Sequence, residues 1–276
     1  MATATLKDED ISFLSRLVER AGKVAVEMRA GVTAQEKSGP EDLVTEADRF
    51  ISEMILAEMA ERFPGDLLIS EEAEPDVAAL KDRSGRTWFI DPIDGTDNYL
   101  DNDGQYSVMV GLMVGGEPVF GFVFAPSSRM LYLGGPGFGT WQQTEDGVLA
   151  RLSPDFVGPI AIPARVMMGS RDKKRHPWVL ELPDIDWVSS GSIGLKVAKV
   201  LLDEADLYVS LSGKLKLWDT VAPCALALGS GLEVGCLESA ALNFPRAGIC
   251  HETSVIIGRD GAVSWSRARF GNRITV

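Results

Sequence analysis

The stretch WFIDPIDGT, residues 88–96, decides the fold and carries the most informative chemistry in the chain. Its apolar run, Trp88–Ile90, predicts a buried strand that ends on Asp91 and is followed by a turn at Pro92. A second carboxylate, Asp94, follows that turn. Two partly desolvated carboxylates at one turn repel each other unless a cation lies between them. Oxygen ligands of this kind suit Mg²⁺, Mn²⁺ or Ca²⁺ better than a soft metal.

Gly95 and Thr96 come next, and if they begin a helix, their free amides would face an anion. The same turn would then hold both a metal ion and a phosphate. The simpler alternative is a turn with an Asx hydrogen bond followed by a helix N-cap. The stretch by itself leaves both interpretations open.

Length, composition and charge limit the class of protein. The chain has 276 residues, 45% of them hydrophobic, and a formal net charge of −13. This length predicts one unit of two layered halves, or two small domains. The acidity argues against nucleic-acid polymers and membranes as partners, and it would repel a phosphorylated substrate unless bound cations reverse the local field. There is no signal-peptide core and no apolar run near the ~20 residues of a membrane span.

The few cysteines and histidines argue against other chemistries. Cys224, Cys236 and Cys250 lack metal-ligand spacing and predict free thiols in a reducing compartment, the cytoplasm. His176 and His251 lie far apart in sequence, which gives little support to a zinc site or a Ser-His-Asp triad.

The N-terminal part predicts two packing helices. Apolar residues at helical spacing predict one helix over 8–30 and a second one that follows Thr45 and ends at 63–65. Thr45 and Asp48 have the spacing of a capping box. Asp48 is therefore either a helix cap or a site carboxylate, and the two roles are compatible.

A short strand over 67–69 is followed by Glu71 and Glu72, which repeats the pattern of a strand that delivers a carboxylate. Two strands that end in acids favour a shared cation over solvated strand-end charges. The polar residues 73–86 predict a surface excursion.

The rest of the chain divides into two parts. Strand-like runs at 107–114, 119–124, 130–133 and around Trp141 predict an antiparallel meander. Strands and helices then alternate, which predicts a partly parallel sheet. The polar stretch 144–163 is the expected boundary.

We therefore predict an N-terminal α+β half with the metal-binding motifs over 1–150, and a C-terminal α/β half over 160–276 that closes the site. Asp219 precedes a helix of small residues in this second half. It is either the N-cap of that helix or a further metal ligand.

Taken together, four motifs resemble a known superfamily. They are Asp42-Leu-Val-Thr-x-x-Asp48, Ser70-Glu71-Glu72, Asp91-Pro-Ile-Asp94-Gly-Thr96 and Trp218-Asp219. Their order and spacing resemble the lithium-sensitive, magnesium-dependent phosphatases, a group that includes inositol monophosphatases, fructose-1,6-bisphosphatases and 3′(2′),5′-bisphosphate nucleotidases. The resemblance implies an α/β fold, a layered α/β/α/β/α sandwich.

The resemblance also implies a metal site. Glu71, Asp91 and the carbonyl of Ile93 are the implied ligands of one Mg²⁺. Asp91, Asp94 and Asp219 are implied to hold a second, with two or three ions in total and Mn²⁺ as a substitute. Such paired ions activate a water and stabilise the leaving oxygen.

The implied catalytic pair is Asp48 and Thr96, which orient and deprotonate the water, with Thr96 relaying to the carboxylate. The implied substrate contacts are Gly95, Thr96, Ser170, Ser192, Lys196 and Asp219. Lys196 is the candidate for a non-scissile phosphate, and its alternative is a solvated helix lysine.

Within the superfamily, several features resemble the nucleotidase branch. Ser70 stands where inositol monophosphatases usually carry Gly, and Ser212 stands where they typically use Glu to hold inositol hydroxyls. Two features depart from that branch: Asn98 looks more like the inositol type, and Lys173 stands where the nucleotidases carry His.

The resemblance therefore implies hydrolysis of the 3′-phosphate of 3′-phosphoadenosine 5′-phosphate. The alternative is a phosphatase for inositol 1-phosphate or a sugar phosphate, and a third hypothesis is a non-catalytic metal- or phosphate-binding protein. We expect a small phosphorylated substrate, lithium inhibition, and a monomer or homodimer.

Overall fold

The computed structural model of the chain describes residues 6–31, 33–39, 42–74, 85–154, 159–239, 241–245, 248–271 and 273. Residues 75–84, most of the predicted surface excursion, lie outside this set, as do 155–158 of the predicted boundary.

The helices within the described residues are α1 (Asp8–Met28), α2 (Glu46–Arg62), α3 (Thr96–Leu100), α4 (Ser170–Arg175), α5 (Ile193–Leu201), α6 (Leu217–Gly229) and α7 (Ala262–Phe270), with a 3-10 helix at Pro177–Glu181. The strands are β1 (Ala34–Gly39), β2 (Asp42–Thr45), β3 (Leu67–Ser70), β4 (Arg86–Asp94), β5 (Ser107–Val114), β6 (Glu117–Ala125), β7 (Met130–Gly135), β8 (Gly139–Gln143), β9 (Leu149–Leu152), β10 (Ala164–Met168), β11 (Ile185–Trp187), β12 (Leu207–Ser210), β13 (Glu233–Gly235) and β14 (Val255–Gly258).

Two large sheets organise these elements. The first has seven strands in the order β3-β4-β5-β6-β7-β8-β9. It is antiparallel throughout except for the parallel pair of β3 and β4. The second has the order β11-β10-β12-β14-β13, and β10 runs parallel to both of its neighbours. The predicted meander and the predicted partly parallel sheet are therefore both present.

Clusters of buried side chains show how the layers are stacked. One cluster fills the space between α1, α2 and the larger sheet, with Leu14, Ile51 and Val110 among its members. A second joins the opposite face of that sheet to α5, α6 and the smaller sheet, and includes Met109 and Val197. A third lies between the smaller sheet and α7. The order of layers is α/β/α/β/α, so the predicted fold class is confirmed.

The structure corrects the sequence interpretation at the central stretch. The predicted strand end at Asp91 is wrong, because β4 continues through Pro92 to Asp94. The polar residues 99–105 predict a loop, but the first two of them belong to α3. Tyr99 is fully buried, and its hydroxyl donates to the carbonyl oxygen of Ala25 at 2.8 Å.

Other corrections concern element boundaries. Asp219 is the third residue of α6 and not its N-cap, a position that Lys216 occupies. The predicted boundary stretch contains an edge strand of the first sheet, β9. Helices α4 and α7 were not predicted, because neither shows a long stripe of apolar residues.

Candidate active site

A β-bulge turns the two acids of the central stretch toward the same side. Asp91 lies opposite Met109 of β5, and Asp94 lies opposite Ser107. The two partners are two residues apart, whereas the acids are three apart, so β4 holds one extra residue between them. In a regular strand, positions three apart point to opposite faces. Pro92, which has no N–H to donate, lies within the bulge, where a strand tolerates it.

The neighbouring strand brings a third acid to the same edge of the sheet. β3 runs parallel to β4, with Ser70 opposite Ile90. The amide of Glu71 donates to the carbonyl oxygen of Ile90 at 3.1 Å. Because parallel strands end at the same edge, Glu71 and Asp91 leave the sheet side by side.

Asp91 is the centre of the acid cluster. Its side chain is 1% exposed, and its Oδ1 has no hydrogen-bond partner among the residues that the structure describes. Burial raises the pKa of Asp91 well above its usual range, and four nearby carboxylates raise it further. These carboxylates belong to Glu71, Asp94, Asp219 and Asp48. The ionised form of Asp91 therefore requires a compensating positive charge.

Asp94 is held by the second half of the chain. Its Oδ2 accepts a hydrogen bond from the amide of Gly194 at 3.0 Å. The amide of Ile193 and the hydroxyl of Ser192 also bond to this carboxylate. Burial raises the pKa of Asp94, whereas the charge of Lys196 and these hydrogen bonds lower it. The start of α5 therefore stabilises the ionised form of Asp94.

Asp219 reaches the cluster from the first turn of α6. The amide of Lys216 donates to its Oδ2 at 2.6 Å. Burial raises the pKa of Asp219 well above its usual range, and the charges of Glu71 and Asp94 raise it further. The amide and charge of Lys216 oppose this effect. Asp219 is therefore part of the same electrostatic cluster as the acids of the first sheet.

Helix α6 can bring Asp219 this close because a pair of glycines lies beneath it. Gly111 of β5 and Gly121 of β6 stand opposite each other. A Cβ on Gly121 would lie 2.3 Å from the carbonyl oxygen of Ala222, and one on Gly111 would lie 2.6 Å from the amide nitrogen of Ala222. Both distances are well inside van der Waals contact. Only glycine lets the helix backbone rest on the sheet at this height.

Asp48 combines the two roles left open by the sequence. The amide of Thr45 donates to its Oδ2 at 2.9 Å, and its own amide donates to the Thr45 hydroxyl at 3.3 Å. This is the predicted capping box at the start of α2. Asp48 is also buried and contributes to the raised pKa of Asp91. One carboxylate thus caps a helix and faces the acid cluster.

The segment after Asp94 turns sharply into α3. Gly95 precedes the helix with a φ of 96°, a conformation that favours glycine. Thr96 is the first residue of α3, and its hydroxyl lies 3.3 Å from the carbonyl oxygen of Ile93. The hydroxyl of the predicted catalytic threonine therefore contacts the carbonyl of the predicted metal ligand.

The predicted substrate contacts of the second half occupy different environments. Ser170 is exposed at the start of α4, where its neighbour Arg171 pairs with Asp97 at 3.8 Å. Ser192 is buried, with its hydroxyl 3.0 Å from that of Ser107, and it caps α5. Contact of either serine with a substrate stays a prediction. The hydroxyl of Ser192 is already hydrogen-bonded to Ser107 and to the amide of Leu195, and a substrate would have to share it.

Lys196 is not the solvated lysine that the sequence left open. Its side chain is 4% exposed, and its ammonium group donates to the carbonyl oxygens of Gly191 and Ser192. Burial lowers the pKa of Lys196 to about 8, Asp94 raises it, and Lys173 lowers it further. A buried cation therefore stands directly behind the acid cluster.

A second lysine, Lys173, lies near Lys196, close enough for its charge to lower the pKa of Lys196. The Lys173 Nζ is 4.5 Å from the centre of the Trp187 ring, within range of a cation–π contact. Partial burial lowers the pKa of Lys173.

The donor set of the acid cluster fits a hard divalent cation. Every candidate ligand is an oxygen, and the orphaned Oδ1 of Asp91 lies among four other carboxylates. In the described part of the chain, no three acidic, histidine or cysteine side chains already form a compact ligand set. An ion bound here would keep several other ligands, as Mg²⁺ commonly does with waters and substrate phosphates.

The most relevant residues that sequence reasoning missed are Ile193 and Gly194, whose amides hold Asp94. A signal was present, since Ser192 before an apolar helix is a typical N-cap. Nothing in the sequence indicated which carboxylate this helix start would face.

Comparisons with known proteins identify the family of this chain. The model of the inositol monophosphatase family matches residues 6–259. Human inositol monophosphatase 2 is 35% identical over 229 residues, 78% of this chain and 76% of the human protein. The 3′(2′),5′-bisphosphate nucleotidase CysQ of Salmonella typhimurium is 28% identical over 222 residues, 79% of this chain and 87% of the relative.

The comparison with solved structures supports the layered fold. The extragenic suppressor protein suhB from Bartonella henselae superposes with a TM-score of 0.79 at 19% identity, covering 96% of this chain and 99% of that one. At this identity the superposition shows the layered fold, and the family follows from the sequence comparisons. The chain belongs to the inositol monophosphatase family and is a phosphatase of that family.

The predicted superfamily is thus confirmed. Members of the family are metal-dependent phosphatases that generally use Mg²⁺, and a small phosphorylated substrate fits the family. Its relatives include both inositol monophosphatases and nucleotidases, so membership alone does not select the substrate. Among the described helices, none is both long and apolar enough to cross a bilayer.

Proposed function

We propose that this chain is a Mg²⁺-dependent phosphomonoesterase that hydrolyses the 3′-phosphate of 3′-phosphoadenosine 5′-phosphate to AMP and inorganic phosphate. The observation that carries the proposal is the lysine pair, Lys196 and Lys173, beside the acid cluster. Burial lowers the pKa of both lysines, and the charge of Lys173 lowers that of Lys196 further.

The two ammonium groups lose hydration and repel each other, so a bound anion would stabilise them. In the same way, a bound cation would stabilise the acid cluster. A substrate with two phosphates would supply both. One phosphate would lie at the metal site and the other near Lys173 and Lys196. A monophosphate would supply an anion to the metal site only, and the lysine pair would keep just the carboxylates of Asp94 and Asp172, which raise the pKa of Lys196.

Ser212 supports the same preference. Its hydroxyl lies 3.3 Å from that of Ser210 and accepts from the amide of Lys214 at 3.3 Å. A carboxylate at this position would hold the hydroxyls of a polyol, but it would also repel a second phosphate. The serine offers neither effect.

The metal-binding role is assigned to the acid cluster, with two or three Mg²⁺ ions and Mn²⁺ as a substitute. The ligands are Glu71, Asp91, the carbonyl of Ile93, Asp94 and Asp219. When bound, the ions neutralise phosphate charge and lower the pKa of a coordinated water.

The remaining roles belong to side chains and amides of this chain. The Thr96 hydroxyl takes up the proton of the attacking water and passes its own proton to the carboxylate of Asp48. The capping box of α2 engages Oδ2 of Asp48 and so fixes the orientation of the carboxylate. The amides of Gly95 and Thr96 orient the phosphate.

The test is phosphate release from three substrates in Mg²⁺: 3′-phosphoadenosine 5′-phosphate, inositol 1-phosphate and fructose 1,6-bisphosphate. We expect kcat/KM for the nucleotide to exceed the others at least tenfold. Equal or reversed rates would refute the substrate assignment while leaving the phosphatase assignment intact. The absence of release in every case, with no difference between Mg²⁺ and EDTA, would support the non-catalytic hypothesis.

A second candidate is a phosphatase for inositol 1-phosphate or a sugar phosphate. Two observations favour it: the 35% identity to human inositol monophosphatase 2, and Asn98 next to the catalytic turn. The side-chain amide of Asn98 donates to the carboxylate of Asp103 at 2.6 Å, and this hydrogen bond fixes the orientation of the Asn98 side chain. In the assay above, this candidate predicts a preference for inositol 1-phosphate.

A cytoplasmic location belongs to the same proposal. Cys224, Cys236 and Cys250 are all unpaired thiols, which suits a reducing compartment. Lithium inhibition and the oligomeric state stay predictions.

A further inference from the structure

His251 is a buried histidine that the proposed mechanism does not use. Its side chain is 1% exposed and packs edge-on against the Phe244 ring at 5.3 Å. Its Nε2 lies 2.9 Å from the hydroxyl oxygen of Thr220. Thr220 directly follows Asp219, the acid that the second half contributes to the site.

The direction of this hydrogen bond follows from a third group. The Thr220 hydroxyl also lies 3.2 Å from the carbonyl oxygen of Lys216, which can only accept. The hydroxyl therefore donates to Lys216 and accepts from the Nε2–H of His251. The ring is then neutral, and its Nδ1 has no partner among the described residues.

Backbone hydrogen bonds join the segment 249–251, which carries His251, to residues 215–217. The amide of Leu217 donates to Ile249, and the amide of His251 donates to Leu215, both at 2.8 Å. Residues 215–217 lead directly into α6. The segment that carries His251 therefore lies against the entry to this helix, and its imidazole reaches across to Thr220.

Lys216 is the point where these contacts converge on Asp219. Its amide donates to the Asp219 carboxylate at 2.6 Å, and its carbonyl accepts from Thr220. The Lys216 carbonyl also accepts from the amide of Asp219 at 3.2 Å. A change at His251 or Thr220 would therefore remove the side-chain hydrogen bond to this carbonyl and loosen the orientation of Lys216, including its amide. The aim of the Asp219 carboxylate would change with it.

We infer that His251 is a positioning residue for Asp219 and acts through the hydroxyl of Thr220. The inference rests on the proposed function, because it takes Asp219 as a metal ligand. Groups that orient a metal ligand typically contribute 10–100-fold in metal affinity. A histidine that only fills the core would contribute to stability and leave metal affinity unchanged.

The experiment measures direct binding of Mn²⁺ to the full chain without substrate. Thr220→Val removes the hydroxyl and keeps the shape, and His251→Phe removes the ring nitrogens. We expect each to weaken Mn²⁺ binding by about 10-fold or more. Thr220→Ser and His251→Gln retain a polar partner and should bind within about threefold of the unmodified chain, an order-of-magnitude margin.

The controls separate a positioning role from a structural one. His176→Gln changes the other histidine of the chain and should bind Mn²⁺ as before. The double variant Thr220→Val/His251→Phe should be no weaker than the weaker single variant, because both act on one hydrogen-bond chain. If His251→Phe fails to fold, His251→Leu takes its place, because leucine also removes the ring nitrogens and has a smaller side chain, while Thr220→Val and Thr220→Ser test the hydroxyl that links His251 to Lys216.

Two outcomes would overturn the inference. One is that Thr220→Val and His251→Phe lower the melting temperature but leave Mn²⁺ affinity intact. The other is that Thr220→Ser weakens binding as much as Thr220→Val. Asp219→Asn distinguishes this failure from that of the proposed metal site: if it binds Mn²⁺ normally, Asp219 is not a ligand and the proposed site itself is wrong.

Discussion

The carboxylate of Asp94 accepts a hydrogen bond from the amide of Gly194 at 3.0 Å, although 100 residues separate the two along the chain. This bond joins the bulged strand of the first sheet to the first turn of α5 in the second half. The acid cluster therefore takes its final shape only when both halves have folded and docked.

We predict that Asp94→Asn reduces turnover by about a thousandfold, because it removes charge from the proposed metal site while keeping the shape of the side chain. Phosphate release in saturating Mg²⁺ measures this, and circular dichroism checks the fold. Asp101→Asn, an exposed acid at the end of α3, is the matched control and should be fully active. Substantial activity in Asp94→Asn would show that the site is wrongly assigned.

Asp91→Asn should stabilise the metal-free protein. The asparagine amide relieves the repulsion among buried acids and donates to neighbouring carboxylates. Each kcal/mol of relieved repulsion would raise the melting temperature by roughly 2–4 °C. The stabilisation that Mg²⁺ gives to the unmodified chain should disappear. Thermal denaturation with and without Mg²⁺ tests both parts, and a lower melting temperature in EDTA would contradict the repulsion argument.

Lys173→Gln should separate the two substrate classes. Lys173 lies next to Trp187 and its charge reaches Lys196. Removing it should lower kcat/KM for 3′-phosphoadenosine 5′-phosphate by about tenfold, the value of one charge contact of ~1.4 kcal/mol. Activity on inositol 1-phosphate should not change. Lys174→Gln, exposed on the same helix, is the control. An equal loss of activity on both substrates would argue against binding of a second phosphate near Lys173 and Lys196.

His251 should make stability depend on pH. Burial lowers its pKa to about 4 in the folded chain, below the usual 6.5. The unfolded chain therefore binds more protons between these values, so stability is full above pH 6.5 and falls toward pH 4. The expected loss at pH 4 is about 3 kcal/mol. The buried acids, whose pKa values are raised in the folded chain, change the free energy of unfolding with pH in the opposite direction. The contribution of His251 is therefore the difference between the urea-unfolding pH profiles of the unmodified chain and of His251→Gln. Parallel pH profiles would show that His251 does not titrate on unfolding.

Much of the site could be predicted from spacing alone. Acids at the ends of short apolar strands predicted Glu71, Asp91 and Asp94, the motif order predicted Asp48 and Asp219, and the structure brings these five acids together. These signals are local: a strand, a turn and a cap each depend on a few neighbouring residues. The same reasoning located most of the strands of both sheets.

Local reasoning failed where a residue's surroundings come from elsewhere in the chain. Lys196 reads equally as a surface lysine or a phosphate ligand, and it is buried against the carbonyls of its own helix start. Tyr99 reads as part of a polar loop, and it is in the core. His251 gave no signal at all, since its partner Thr220 is 31 residues away.

The amino-acid sequence by itself predicted which acids are candidates for the site and in what order they come, because motif spacing is a property of the chain. The layered fold was implied by the resemblance of those motifs to a known superfamily. Only the tertiary structure decided that these acids face one another. Asp91 and Asp94 share a face because the pairing of β4 with β5 absorbs one residue in a bulge. Asp94 is held, and Asp219 is brought near, by helices whose positions follow from packing across the two sheets, which no local pattern specifies.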